Sequence, residues 1–103
     1  MSEEFLHFLW QHKLYKPGIF YTSQDQFLEV IDPGIKNRHA GPDFFNAKIK
    51  LDGILWAGNI EIHNHASDWF QHGHQHDPFY DNVILHVVLH YDEDACSSKG
   101  RVL

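Results

Sequence analysis

The chain has 103 residues, 43% hydrophobic and 21% charged, which suits one small globular domain and leaves little for a second. A single cysteine, Cys96, excludes an internal disulfide framework and any cysteine-based zinc motif. The formal charge of −6 argues against a basic nucleic-acid coat protein. No run approaches the roughly 18 apolar residues of a membrane span, and Met1-Ser2-Glu3-Glu4 carries no basic leader, so the expectation is a reduced, cytoplasmic domain. The outlier is histidine, with ten residues, seven of them between His63 and His90.

Ser2 can cap a helix that opens on Glu3 and Glu4, acids suited to the positive end of the helix dipole. Phe5, Phe8, Leu9 and His12 follow at helical spacing, with Leu6 and Trp10 broadening the apolar side, and Pro17-Gly18 marks a stop after Leu14. Phe27 to Ile31 reads as a short strand ended by Asp32-Pro33-Gly34, and Lys36 to Pro42 as loop. Within Pro33 to Leu51 lie Lys36, Arg38, Lys48 and Lys50 against one acid, Asp43, which is either ordinary solvated surface or a small phosphate-facing patch.

Asp43 to Leu51 alternates as a strand, with Asp43, Phe45, Ala47, Ile49 and Leu51 on one face. Asp52-Gly53 is a preferred two-residue hairpin turn, and Ile54 to His63 alternates again. Ser67 is placed to cap a short helix through Phe70, and Asp77-Pro78 to open another helical turn. Val83 to Tyr91 reads as a buried strand, with His86 and His90 as core histidines, and Trp56 and Trp69 as core. The order helix-strand-strand-strand-helix-strand predicts an α/β fold with a central mixed four-stranded sheet.

Asn59, Glu61 and His63 share one face of the third strand. The hairpin pairs Asp43 with Ile62, next to Glu61 and His63, and a single register step decides whether Asp43 and Glu61 share a face. Two carboxylates there suit a hard divalent cation, Mg²⁺ or Mn²⁺, able to polarise a phosphodiester and activate water. A second candidate is the cluster His65, His72, His74 and His76, completed by Asp68 or Asp77, which would take Zn²⁺, nickel or iron.

Pro42-Asp43, seventeen intervening residues, then Glu61-Ile62-His63 resembles the PD-(D/E)xK nuclease signature with histidine in the lysine position. The resemblance implies that superfamily's core fold, metal-dependent cleavage of DNA or RNA, Asp43 and Glu61 as metal ligands, and His63 orienting or deprotonating water. Glu3 or Glu4 would assist. A neutral imidazole lacks the fixed charge of lysine, which weakens that role for His63.

The runs Ala40 to Ala47 and Trp56 to His63 also resemble an uncharacterised bacterial family, DUF2851, as do Ser67-Asp68-Trp69, His72-Gly73-His74 and Tyr80 to Val88. Members of that family are longer, so residues 1–103 read as a single domain from an N-terminal fragment. Residues 92–103 would form a polar tail or truncated continuation, and the remainder of a longer chain or a second copy is an expected partner. The alternative to a nuclease is a catalytically inert binding or scaffold domain with a histidine-rich metal site.

Overall fold

The computed structural model describes residues 2–12, 20–22, 24–90 and 92–94. The expected helix stop at Leu14 and Pro17-Gly18, Cys96 and most of the expected tail, residues 95–103, lie outside them.

Helix α1 spans Glu3–Gln11, and the Ser2 side chain accepts the Phe5 N–H at 3.2 Å. Its inward side is Glu3, Leu6, His7 and Trp10, the i, i+3, i+4, i+7 set, while Phe5 and Phe8 are about half exposed. The expected inward face is thus rotated. The Trp10 indole N–H donates to the Pro33 carbonyl at 3.0 Å, which fixes the helix by its one fully buried side chain.

The strands are β1 (Phe20–Tyr21), β2 (Phe27–Asp32), β3 (Ile35–Lys36), β4 (Phe44–Leu51), β5 (Ile54–His65) and β6 (Val83–His90). They form a mixed sheet ordered β1-β2-β4-β5-β6, with β3 also on β4; β5 and β6 are parallel and the other pairs antiparallel. The mixed α/β architecture stands, but the predicted element order needs correction. Ile35–Lys36 is a strand because Asp32 Oδ1 accepts the Gly34 N–H at 2.8 Å and Gly34 takes a positive φ of 91°, folding the chain back onto β4. The crossover to β6 is the four-residue helix α2 (Asp68–Gln71) followed by 3₁₀ turns at His74–His76 and Pro78–Tyr80. Gly73, at φ 74°, and Pro78 interrupt what would otherwise be one helix.

The β4–β5 hairpin turns at Asp52 and Gly53, both with positive φ, as expected for this dipeptide. Its ladder is regular from Leu51↔Ile54 to Ala47↔Gly58, then skips to Phe44↔Ile60. Phe45 and Asn46 therefore oppose Asn59 alone, a β-bulge, with Asn46 at φ 58° and its N–H donating to Asn59 Oδ1 at 3.3 Å. The bulge corrects the predicted faces of this strand. Phe44, fully buried, joins Ala47, Ile60, Ile62 and Trp10 in the core beneath α1, and Asp43 turns to the opposite side with Glu61 and His63. A second cluster, Trp69, Tyr80 and Val83, covers that other side. Trp56, near the hairpin tip, is 39% exposed rather than core.

At Gly58 the start of β6 passes close over β5. A Cβ there would stand 2.6 Å from both the Asn82 carbonyl oxygen and Ile84 Cγ2. Gly58→Ala is expected to destabilise the protein by about 1–3 kcal/mol, the usual range for overpacking, measured by urea unfolding; an unchanged midpoint would contradict this packing.

Candidate metal centre at the end of the central strand

The polar end of β5 is built from the sheet outward. Asp43 follows Pro42 at the head of β4 and exchanges hydrogen bonds with β5. Its N–H donates to Glu61 Oε1 at 3.1 Å, and its Oδ2 accepts the Ile62 N–H at 2.8 Å. The Asp43 and Glu61 carboxyl groups also hydrogen-bond each other. Glu61 is 4% exposed, and its second oxygen, Oε2, faces imidazoles: His74 Nε2 at 2.7 Å and His63 Nε2 at 3.3 Å. His72, at the C-terminal end of α2, brings Nδ1 to 3.1 Å from His63 Nε2. Ligand nitrogens of His63, His72 and His74 lie within 4.8 Å of one another.

The crossover holds these rings in place. Tyr80 stacks on His74 at 3.8 Å between centroids, and Trp69 meets His74 edge-on at 5.1 Å. On β6, the register partner of Glu61 is His86, whose Nε2 lies 2.7 Å from His63 Nδ1. From α1, His7 Nε2 reaches within 3.4 Å of Asp43 Oδ2.

Burial pushes the Glu61 carboxyl up to about 10, reinforced by the Asp43 charge. For Asp43, burial acts upward, but contacts with His7 and Glu61 and the Ile62 N–H bring it below the ordinary carboxylate value. Burial, then the neighbouring imidazoles, holds His63 down at about 3, and burial with His74 holds His86 at about 4. His74 is lowered by burial and His72, and Glu3 is raised by burial and by Asp43. Burial thus favours the neutral form of His63, His74 and His86, the state in which imidazole ligates metals.

The contacts have the character of ligands around a shared point. His74 Nε2 is buried with no hydrogen-bond partner in line, although Glu61 Oε2 is only 2.7 Å away. Atoms bound to one transition-metal ion at about 2.0–2.2 Å stand roughly 3–3.5 Å from each other, close to the 2.7, 3.1 and 3.3 Å separations here. The donor set, three imidazoles and a carboxylate, fits zinc and its transition-metal neighbours better than magnesium. The residues present fit such an ion.

A family model described as "Protein of unknown function (DUF2851)" matches residues 3–103. The chain belongs to that family. No curated protein and no solved structure matches it.

Of the residues that sequence singles out in this DUF2851 chain, the structure brings Asp43, Glu61 and His63 together, and His72 and His74 join them. His65 and His76 stay apart: His65 is exposed and rests against the exposed His90, ring centroids 5.0 Å apart, and His76 is exposed on its 3₁₀ turn. The predicted histidine cluster is therefore corrected in membership, with His63 in place of those two. Asp68 and Asp77 do not complete it, because their carboxylates accept the His65 and Phe79 N–H groups. Ser67 makes no capping hydrogen bond; its hydroxyl donates to Asp92 Oδ2 at 2.6 Å. Of the two helix acids, Glu3 lies in the field of Asp43 and His72, while Glu4 is exposed. Sequence reading missed His7 and the placement of His86. The i+4 spacing of Glu3 and His7, ahead of Trp10, was the available signal for the first. Cross-strand register sets Lys50 beside Glu29 and Lys48 beside Asp32, leaving Lys36 and Arg38 as the cations nearest the site in sequence. No helix among the described residues is long and apolar enough to cross a membrane.

These shifts fix how the metal-free protein responds to pH. Glu61 keeps a proton that the unfolded chain releases above its ordinary 4.5, so its contribution falls as pH rises towards about 10. His63 and His86 stay neutral where the unfolded chain takes up protons below 6.5, so theirs is lost as pH falls through the acid range. Between the two ordinary values two histidines outweigh one glutamate. Chelator-treated protein is expected to be most stable at about pH 6.5, losing on the order of 1 kcal/mol per pH unit above it. Thermal unfolding from pH 5 to 9 checks this, and stability rising steadily to pH 9 would contradict it.

Proposed function

We propose that the chain is a divalent-metal-dependent phosphodiesterase acting on DNA or RNA, with His63, His72, His74 and Glu61 holding a transition-metal ion. The convergence of the buried His74 Nε2 and of His63 Nε2 on Glu61 Oε2 carries this reading. It moves the metal from the expected Asp43–Glu61 pair towards the imidazoles and favours zinc or a neighbouring transition metal over magnesium. The nucleic-acid substrate and the PD-(D/E)xK-like core rest on the Asp43…Glu61-Ile62-His63 pattern at the end of a mixed sheet.

When bound, such an ion supplies a Lewis acid that polarises a phosphoryl oxygen and lowers the pKa of water. Glu61 Oε2 stands beside the ligand nitrogens, where it would help hold the ion and balance its charge. Asp43 holds Glu61 in place through the Glu61 Oε1 hydrogen bond, and His86 fixes the tautomer of His63. Asn37 ties its loop to the carbonyls of His39, Ala40 and Pro42, fixing the exposed Arg38 on the segment leading into Asp43 as a contact for phosphate.

One observation favours a second reading, an inert module in which the ion only staples the crossover to the sheet. Three imidazoles from β5, the end of α2 and the following 3₁₀ turn, with Glu61 Oε2 against two of them, resemble the four-donor set that structural zinc prefers. Protein prepared without an affinity tag, stripped and reloaded with Mg²⁺, Mn²⁺ or Zn²⁺, separates the two when assayed on single- and double-stranded DNA and RNA. The phosphodiesterase reading expects Mn²⁺ or Zn²⁺ to restore cleavage and Glu61→Gln, by weakening the hold on the ion, to lower it about 10–100-fold or more. Stoichiometric metal with no cleavage of any substrate would leave the structural role.

A further inference from the structure

We infer that a platform for an unpaired base flanks the polar site, with the Phe79 ring as its stacking surface and Arg38 as its phosphate contact. This rests on the phosphodiesterase reading above and narrows its substrate to single-stranded nucleic acid. The 3₁₀ turn Pro78–Tyr80 sends its two rings in different directions. Tyr80 is buried, stacks on His74 at 3.8 Å and hydrogen-bonds the backbone of Gly41. Phe79 is 55% exposed, although its turn is fixed by the Asp77 carboxylate, which accepts the Phe79 N–H at 2.9 Å.

The exposed ring has a built seat. A Cβ at Gly41 would stand 2.7 Å from Phe79 Cε1, and Gly41 has φ 107°, so both the close approach and the conformation require glycine. Phe45 lies alongside, with ring centroids 6.3 Å apart. Ile35, the register partner of Phe45 and 71% exposed, extends the same face. Exposed apolar side chains scattered singly are ordinary, but adjoining ones mark a contact surface. The contact with Phe79 sets this patch on the crossover side of the sheet, the side of Glu61 and His63.

Charge chooses the occupant. Residues 33–42 hold Lys36 and Arg38 and no acid, in a chain of net charge −6. Their loop closes on the site, because the Asn37 N–H donates to the Asp43 carbonyl at 2.8 Å. One short segment thus carries the exposed Arg38, the seat of Phe79 and, at its end, Asp43. An aromatic surface beside cations suits a single strand, with a base on the ring and a phosphate on the guanidinium. An apolar peptide would leave the cations unused. A duplex keeps its bases stacked on one another along its length and offers Phe79 no open π-face.

Fluorescence anisotropy with chelator-treated full-chain protein at low salt tests this without relying on cleavage. The probes are labelled DNA and RNA strands of about 15 nucleotides, near the upper site size of single-strand binders, and a duplex of equal length. Single strands are expected to bind about 5- to 150-fold tighter than duplex, the worth of one base stacked on an aromatic ring. Phe79→Leu, which keeps apolar bulk without a π-face, should remove that margin, and Phe79→Tyr should keep it. Arg38→Gln should weaken binding and lower the salt slope by about 0.7. Equal affinity for strand and duplex, or a Phe79→Leu variant as tight as the parent, overturns the platform even where metal-loaded protein cleaves nucleic acid. Strand binding that depends on Phe79 upholds the platform, and if no metal then restores cleavage, the phosphodiesterase reading alone falls. No binding of any oligonucleotide overturns the platform and leaves the patch to an apolar peptide.

Discussion

Between Phe44 and Ala47, two residues of β4 face one residue of β5, and this extra residue decides what the sheet end can hold. Without it, alternation would set Asp43 on the same face as Ala47 and Ile49, beneath α1 and away from Glu61. With it, Phe44 enters the core and Asp43 swings to Glu61, where the two residues exchange backbone and side-chain hydrogen bonds. Asn46 makes the step tolerable, since asparagine accepts the left-handed conformation more readily than most residues. The polar site and the apolar core are thus two consequences of one irregularity.

A buried carboxyl packed against the imidazoles of His63 and His74 is a costly arrangement in a domain of this size. The fold tolerates it in the metal-free state by keeping Glu61 protonated beside Asp43 and by excluding protons from His63 and His86. Aromatic packing holds the groups where electrostatics alone would not. Tyr80 and Trp69 clamp His74, and His86 meets both His63 and the Trp69 ring. Two small cores on opposite sides of one sheet, rather than one large core, leave this polar layer between β5 and the crossover.

Much of the framework was legible in the sequence. The Ser2 cap, the Asp52-Gly53 turn and the Asp77-Pro78 cap each follow from local chemistry, and each forms as expected. β5 forms as a strand, but its two faces are both exposed near the hairpin tip and both buried from Ile60 to His63. The bulge was not legible, because Asn46 in a strand gives no unique signal and alternation continues plausibly through it. The rotation of α1 was hidden too, since both Phe5-Phe8 and Leu6-Trp10 make apolar stripes, and the core packing of Leu6 and Trp10 with the Trp10 bond to Pro33 chooses between them. For the site, Asp43, Glu61 and His63 were singled out from strand position, and the contribution of His72 and His74 depends on a turn at Gly73 that no periodicity announces. The remote partners, His7 and His86, come from separate elements and needed tertiary structure.

On the proposed reading, Glu61 and the imidazoles of His63, His72 and His74 hold one ion as a set. Titrating the metal-free protein with Co²⁺ and recording its visible absorption tests this most directly, because the band pattern reports ligand type and geometry. Intense bands of low-symmetry nitrogen and oxygen ligation, saturating stoichiometrically and lost in His74→Ala, are the predicted result. A spectrum that stays that of aqueous cobalt throughout the titration would contradict the account.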